Sequence, residues 1–161
     1  MKTSFAAGAL VLAVAAGGAV RADRLLERGQ YLSRVMDCGG CHTPMTASGP
    51  DFARAYTGGL GFEVPGLGVF FAPNLTGDRE TGLGGWSDEE ILAAVTRGER
   101  PDGRILAPIM PYASYAALTP EDGAALVAWL RSLQAVESRV PGPFGPGEAV
   151  PVPYFGLVLP E

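Results

Sequence analysis

The amino-acid sequence predicts an all-α domain of three main helices joined by long loops. Three observations carry that expectation. Apolar residues recur at helical spacing in three separate segments, each punctuated by helix start or stop signals. The long connection from Pro44 to Trp86 is rich in glycine and proline and shows no convincing strand alternation. Finally, two cysteines stand two residues apart and are closed by the chain's only histidine, in Cys38-Gly39-Gly40-Cys41-His42.

The first residues read as an export signal. Lys2 supplies a positive end, the run from Phe5 to Val20 is almost wholly Ala, Gly, Leu and Val, and Val20-Arg21-Ala22 ends in small residues at the positions a signal peptidase reads. Cleavage after Ala22 makes residues 1–22 a signal peptide and leaves no transmembrane helix. The alternative is an uncleaved anchor, although the apolar run falls short of the roughly 20 residues a spanning helix needs. Export points to the periplasm of a bacterium. The rest divides into one compact domain, residues 23–136, and a proline-rich tail, residues 137–161. With 12 basic against 17 acidic residues the chain is acidic. That balance argues against nucleic acid as a partner.

Taken in order, the first helix covers Arg24 to Asp37, where Leu25, Gly29, Leu32 and Met36 fall on one face. Gly29 on that face predicts a close crossing with the last helix, where an aromatic such as Trp129 rests on a residue without a side chain. The second helix opens on Ser87-Asp88-Glu89-Glu90, a capping-box pattern, and ends at Gly98. The third begins at Thr119 with Pro120 in its first turn and buries Leu126, Leu130 and Leu133.

The cysteine motif decides the chemistry. Export makes a disulfide the default for two cysteines, but their spacing and the adjoining histidine fit covalent haem attachment, each thiol adding across one vinyl group with the imidazole beneath the iron. A thioredoxin-like pair would follow a strand in an alternating β and α pattern, which is missing here. A zinc site would need a fourth ligand, and no further Cys or His exists. One motif means one haem. A large flat group also explains the glycine-rich loops, which can bury it in place of a side-chain core.

The sixth iron position separates electron transfer from ligand binding. With His42 used, methionine sulfur is the natural candidate, and Met36 and Met45 lie too close in sequence to reach the opposite face of the ring. Met110 does not have that limit, sitting between Pro108 and Pro111 in a stiff loop; packing is its competing role. Arg100 and Arg104 flank the approach to that loop, where pairing with a haem propionate is the usual use of arginine. The tail carries six prolines between Pro141 and Pro160, interleaved with Phe144, Tyr154, Phe155 and Leu157. It is expected to be extended, either docked or loosely draped.

Beyond the haem motif, three stretches carry a family resemblance: Arg28-Gly29-Gln30-Tyr31-Leu32 through His42, Pro73-Asn74-Leu75-Thr76 through Gly84-Gly85-Trp86, and Met110-Pro111-Tyr112-Ala113-Ser114-Tyr115. Over about residues 24–135 the chain resembles the class I cytochrome c domains of bacterial membrane alcohol and gluconate dehydrogenase cytochrome subunits. The resemblance implies a class I cytochrome c fold with crossing first and last helices and with His42 and Met110 as axial ligands. It also makes Asn74, Trp86 and Tyr115 candidate pocket or propionate contacts, alongside Arg104, which is a candidate from its place before Met110. Those subunits typically carry three such domains and a membrane-anchoring end, whereas this sequence has one motif and a proline-rich tail.

The expected function is single-electron transfer and not catalysis: a periplasmic dehydrogenase as donor, an oxidase or another cytochrome as acceptor, within a respiratory chain. One competing class is a haem enzyme or a gas- or peroxide-binding protein with a labile sixth ligand. The other is a cytochrome subunit held by its tail in a larger, possibly membrane-associated dehydrogenase complex.

Overall fold

The computed structural model describes residues 6–158, with side chains described from Val20 onward. Helix α1 runs over Ala6–Val35, longer at its start than the periodicity predicts. Of the expected signal, residues 1–5 lie outside the described residues. No helix among the described residues is long and apolar enough to cross a membrane. Asp37 takes a left-handed conformation that ends α1 and turns the chain into α2, Cys38–Cys41.

Helix α3, Asp88–Arg97, forms as its capping box predicts: the Ser87 hydroxyl accepts from the Glu90 N–H, and the Glu90 carboxylate accepts from the Ser87 N–H. A short helix α4, Tyr112–Tyr115, precedes α5, Pro120–Ser132, which opens with Thr119 as its cap.

The all-α expectation is incomplete. Strands β1, Met45–Thr46, and β2, Gly49–Pro50, form one antiparallel pair, while β3, Gly61–Val64, and β4, Gly68–Phe71, form a longer hairpin. Its turn is Val64-Pro65-Gly66-Leu67. Proline fixes the first corner, Gly66 takes a positive φ of 78°, and the Leu67 N–H donates to the Val64 carbonyl at 2.9 Å. Alternation fails in β4 because three of its four residues are buried, and a strand covered on both faces loses its period-two signature.

The core lies where α1 crosses α5. Leu32 packs with Ala125, Leu126, Trp129 and Leu130, and Ile91 of α3 closes the cluster. Gly29 is the point of closest approach: a Cβ there would meet the Ala125 carbonyl oxygen and lie 2.6 Å from the Trp129 Cβ. This is the crossing anticipated from Gly29 and Trp129. Leu25, expected on the same buried stripe, is exposed. The reason is geometric: Arg28 already pairs with Asp122 in the first turn of α5, so the preceding turns of α1 run past the end of their partner. Arg131 holds the other side of α5, donating to the Asp88 carboxylate and to the carbonyls of Leu83 and Trp86.

Two predictions follow from this crossing. Alanine at position 29 gains about 1 kcal/mol of helix propensity, but its methyl meets backbone, which cannot swing aside. Gly29→Ala should therefore lose about 1–3 kcal/mol net in denaturant titration; equal or greater stability would remove this crossing as the closest approach. Hydrogen bonding from Arg28 holds the Asp122 carboxyl below its ordinary range. The pair stabilises the fold above the unfolded carboxylate pKa of about 3.9 and loses its effect as pH falls through the lower folded value. Asp122→Asn should melt below wild type at pH 7, with the two melting curves converging in acid as pH falls through the lowered folded pKa.

Candidate functional site

The end of α1 and the single turn of α2 position the thiols. Cys38 and Cys41 are three residues apart in a helical turn, which places them on one face, and both line a cavity of about 840 Å³. Gly40 packs against the Asp37 carboxylate and Gly39 against the Tyr56 ring, so these glycines serve the turn's own packing. Burial pushes the Cys38 thiol up to about 11 and also raises Cys41. Redox and metal-binding cysteines are instead held toward the thiolate.

His42 caps α2 and is buried. Its Nδ1 lies 2.7 Å from the Pro73 carbonyl oxygen, which can only accept, so Nδ1 carries the proton and Nε2 keeps its lone pair. Burial lowers the imidazole pKa, partly opposed by the Pro73 contact, and favours the neutral ring. A neutral ring oriented by a backbone carbonyl is the form in which histidine binds a metal.

Phe62, Phe70 and Phe71 of the hairpin, Ile91 and Val95 of α3, and Leu126 and Leu130 of α5 also line the cavity. Met110 is brought into the same cavity by its loop, where its N–H donates to the Ala107 carbonyl and its carbonyl accepts from the Tyr112 N–H. The donor set suits a haem: apolar walls for the ring, two thiols for its vinyl groups, one neutral imidazole and one thioether for its iron. Among the described residues no group of three or more His, Cys, Asp or Glu could hold a metal ion unaided.

Trp86, Arg104 and Tyr115 all line the cavity. The Arg100 guanidinium lies 5.1 Å from the centre of the Trp86 ring, and Arg104 pairs with Asp102 at 2.7 Å. The Tyr115 hydroxyl donates to the Met36 carbonyl at 2.7 Å, and its pKa is pushed up to about 12, chiefly by burial. It thereby ties α4 to the residue two before Cys38. Of the other methionines, Met36 reaches the cavity beside the cysteines and Met45 is exposed on β1.

Asn74, unlike the other candidate contacts, does not line the cavity. Its side chain is absent from the cavity wall and fully engaged elsewhere: the amide donates to Thr81 Oγ1 at 3.0 Å and to the Val136 carbonyl at 2.8 Å, while Oδ1 accepts from the Thr76 N–H at 2.9 Å. It clasps the loop to the start of the tail. Two contributions to the cavity escaped sequence reasoning. Pro73 was available only as the residue before Asn74, and the tail, residues 138–143, lines the wall. Its prolines signal extension but not where an extended segment lies.

A cavity that gathers two thiols from one helical turn, a neutral imidazole and a thioether defines a protein built to hold haem covalently. The chain belongs to the cytochrome c family, whose sequence pattern matches residues 26–134, and membership implies covalent haem c. It is 34% identical over 129 residues to the cytochrome c subunit of a quinone alcohol dehydrogenase from Gluconobacter oxydans, covering 80% of this chain and 26% of that one. To the gluconate 2-dehydrogenase cytochrome c subunit of Pantoea cypripedii it is 40% identical over 107 residues, 66% of this chain and 23% of the other. A diheme cytochrome c-type protein of Cereibacter sphaeroides is 33% identical over 147 residues, 83% of this chain and 49% of its own length. The chain thus spans about a quarter of the length of the two dehydrogenase subunits. The two dehydrogenase relatives are cytochrome c subunits, and electron transfer is the role that goes with this family.

Asn74→Ala leaves the buried Thr76 N–H without its side-chain partner and removes one of the hydrogen bonds that hold Val136. It should cost about 2–3 kcal/mol in thermal unfolding of the holoprotein while leaving its visible absorption maxima in place. A shifted spectrum at unchanged stability would return Asn74 to the pocket.

Proposed function

We propose that this chain is a periplasmic, monohaem, class I cytochrome c that carries single electrons, taking them from a dehydrogenase and passing them to a respiratory acceptor. The observation that carries the reading is the convergence of Cys38, Cys41, neutral His42 and Met110 on one largely apolar cavity. Bound haem supplies a one-electron ferric–ferrous couple. Cys38 and Cys41 would fix the ring by thioether bonds, His42 Nε2 and the Met110 sulfur would hold its iron, and the apolar walls would keep water away. A thioether ligand favours ferrous iron relative to a second nitrogen and so raises the potential. With both His42 and Met110 held as ligands in either oxidation state, the site would suit a carrier better than a catalyst.

The relatives named as subunits of alcohol and gluconate dehydrogenases support the choice of donor class. Substrate oxidation in such a partnership belongs to the donor, and this chain contributes the haem alone. A leader at residues 1–22, removed on export, is consistent with a c-type site assembled outside the cytoplasm.

The ferric spectrum tests the axial assignment. Wild type should show the weak long-wavelength iron–sulfur charge-transfer band, and Met110→Ala should lose it while keeping haem covalently attached. Reduced wild type should bind carbon monoxide poorly at neutral pH, and the variant rapidly and completely. A wild type that binds it as readily as the variant overturns the closed-site reading in favour of a ligand-binding haem protein.

A further inference from the structure

The family match ends at residue 134, yet the chain continues along the cavity. Beyond that point two anchors hold the backbone on either side of the cavity wall. At Val136 the carbonyl accepts from Asn74 and Thr76 while the N–H donates to Thr76 Oγ1 at 3.1 Å, and the Ser138 N–H donates to Thr81 Oγ1 at 3.0 Å. At Phe144 the backbone exchanges two hydrogen bonds with Val69 of β4, at 2.9 and 3.0 Å, and the ring meets Phe71 edge-on with centroids 6.1 Å apart. Between these anchors, residues 138–143 form part of the cavity wall. Pro141 and Pro143 stiffen the span. Past Phe144 the chain returns to the hairpin's other edge, where Phe155 bridges Phe62.

Resting on the haem reading above, we propose that residues 136–144 are a strap that seals one side of the haem cavity and thereby sets the reduction potential. Ferric haem carries one more positive charge than ferrous, and a drier, less polarizable surrounding disfavours the more charged state. Closing the wall therefore raises the potential. The strap acts by excluding water and by its position, without ligating iron. The anchoring loop couples it to the proximal ligand: Pro73 orients His42, and the next residue, Asn74, holds Val136. Arg139 lies within this span and borders the cavity, but its side chain is exposed and paired with Glu80, so its charge is screened and contributes little.

The test uses the full-length holoprotein, with Phe144→Ala to weaken the far anchor and Arg139→Gln to remove the charge while keeping both anchors. Trypsin cleavage after Arg139 reports strap opening, and spectroelectrochemical titration reports the haem. In Phe144→Ala, cleavage should accelerate at least about fivefold, and the ferrous-to-ferric ratio at fixed ambient potential should fall about tenfold, a downward shift of about 59 mV. Arg139→Gln should stay within about twofold of wild type in that ratio. An unchanged ratio in Phe144→Ala overturns the strap, whether or not cleavage accelerates. A tenfold fall in Arg139→Gln also overturns it, by assigning the effect to charge. Phe144→Leu, which keeps a smaller apolar contact, replaces the alanine variant if that one fails to fold. Failure of the haem reading is separate and shows as wild type without a haem spectrum.

Discussion

Everything in this molecule is hung from the crossing of α1 over α5 at Gly29. With no side chain at that position, the helices approach until Trp129 rests on the α1 backbone, and Tyr56 then packs edge-on to Trp129 at 4.9 Å. Only a short stretch separates the crossing from Cys38, so the placement of α1 is also the placement of both thiols and of His42. Arg28 with Asp122, and Tyr115 with the Met36 carbonyl, fix α1 on either side of the contact. The site thus inherits its geometry from a packing contact between two helices rather than from the loops around it.

The loop after β4 does a second job. Pro73 orients the imidazole, while Asn74, Thr76 and Thr81 are spent on the backbone of the C-terminal segment. Asn74 and Thr76 are almost wholly buried, and their polar atoms are matched within the loop and tail. Such satisfied buried groups specify one arrangement, because each alternative leaves a donor or acceptor stranded away from water. An apolar clamp of the same size would hold the chain with less selectivity over register.

Sequence legibility followed the range of the interactions. The helix cap at Ser87, the glycine at position 29 and the CGGCH motif are local signals, read within a turn or a pentapeptide, and they located α3, the crossing and the site. The β3–β4 hairpin was hidden because burial of β4 erased its alternation, although Val64-Pro65-Gly66-Leu67 carried the turn chemistry that could have disclosed it. Asn74 was drawn toward the pocket by resemblance, when its partner at Val136 lies 62 residues away and no local pattern announces such a bond. The tail posed the same difficulty: proline shows that a segment is extended but gives no information about what it lies against.

The wall supplied by residues 138–143 also has a place in time. A chain emerges from its N-terminus, and domains begin to organise in that order. Cys38, Cys41 and His42 are therefore presented about a hundred residues before the segment that closes the cavity beside them. Until residues 138–143 are in place, the cavity lacks the part of its wall that they supply. The attachment motif and the wall beside it are thus contributed from segments about a hundred residues apart, so closing the cavity is a long-range event that depends on the whole fold between them.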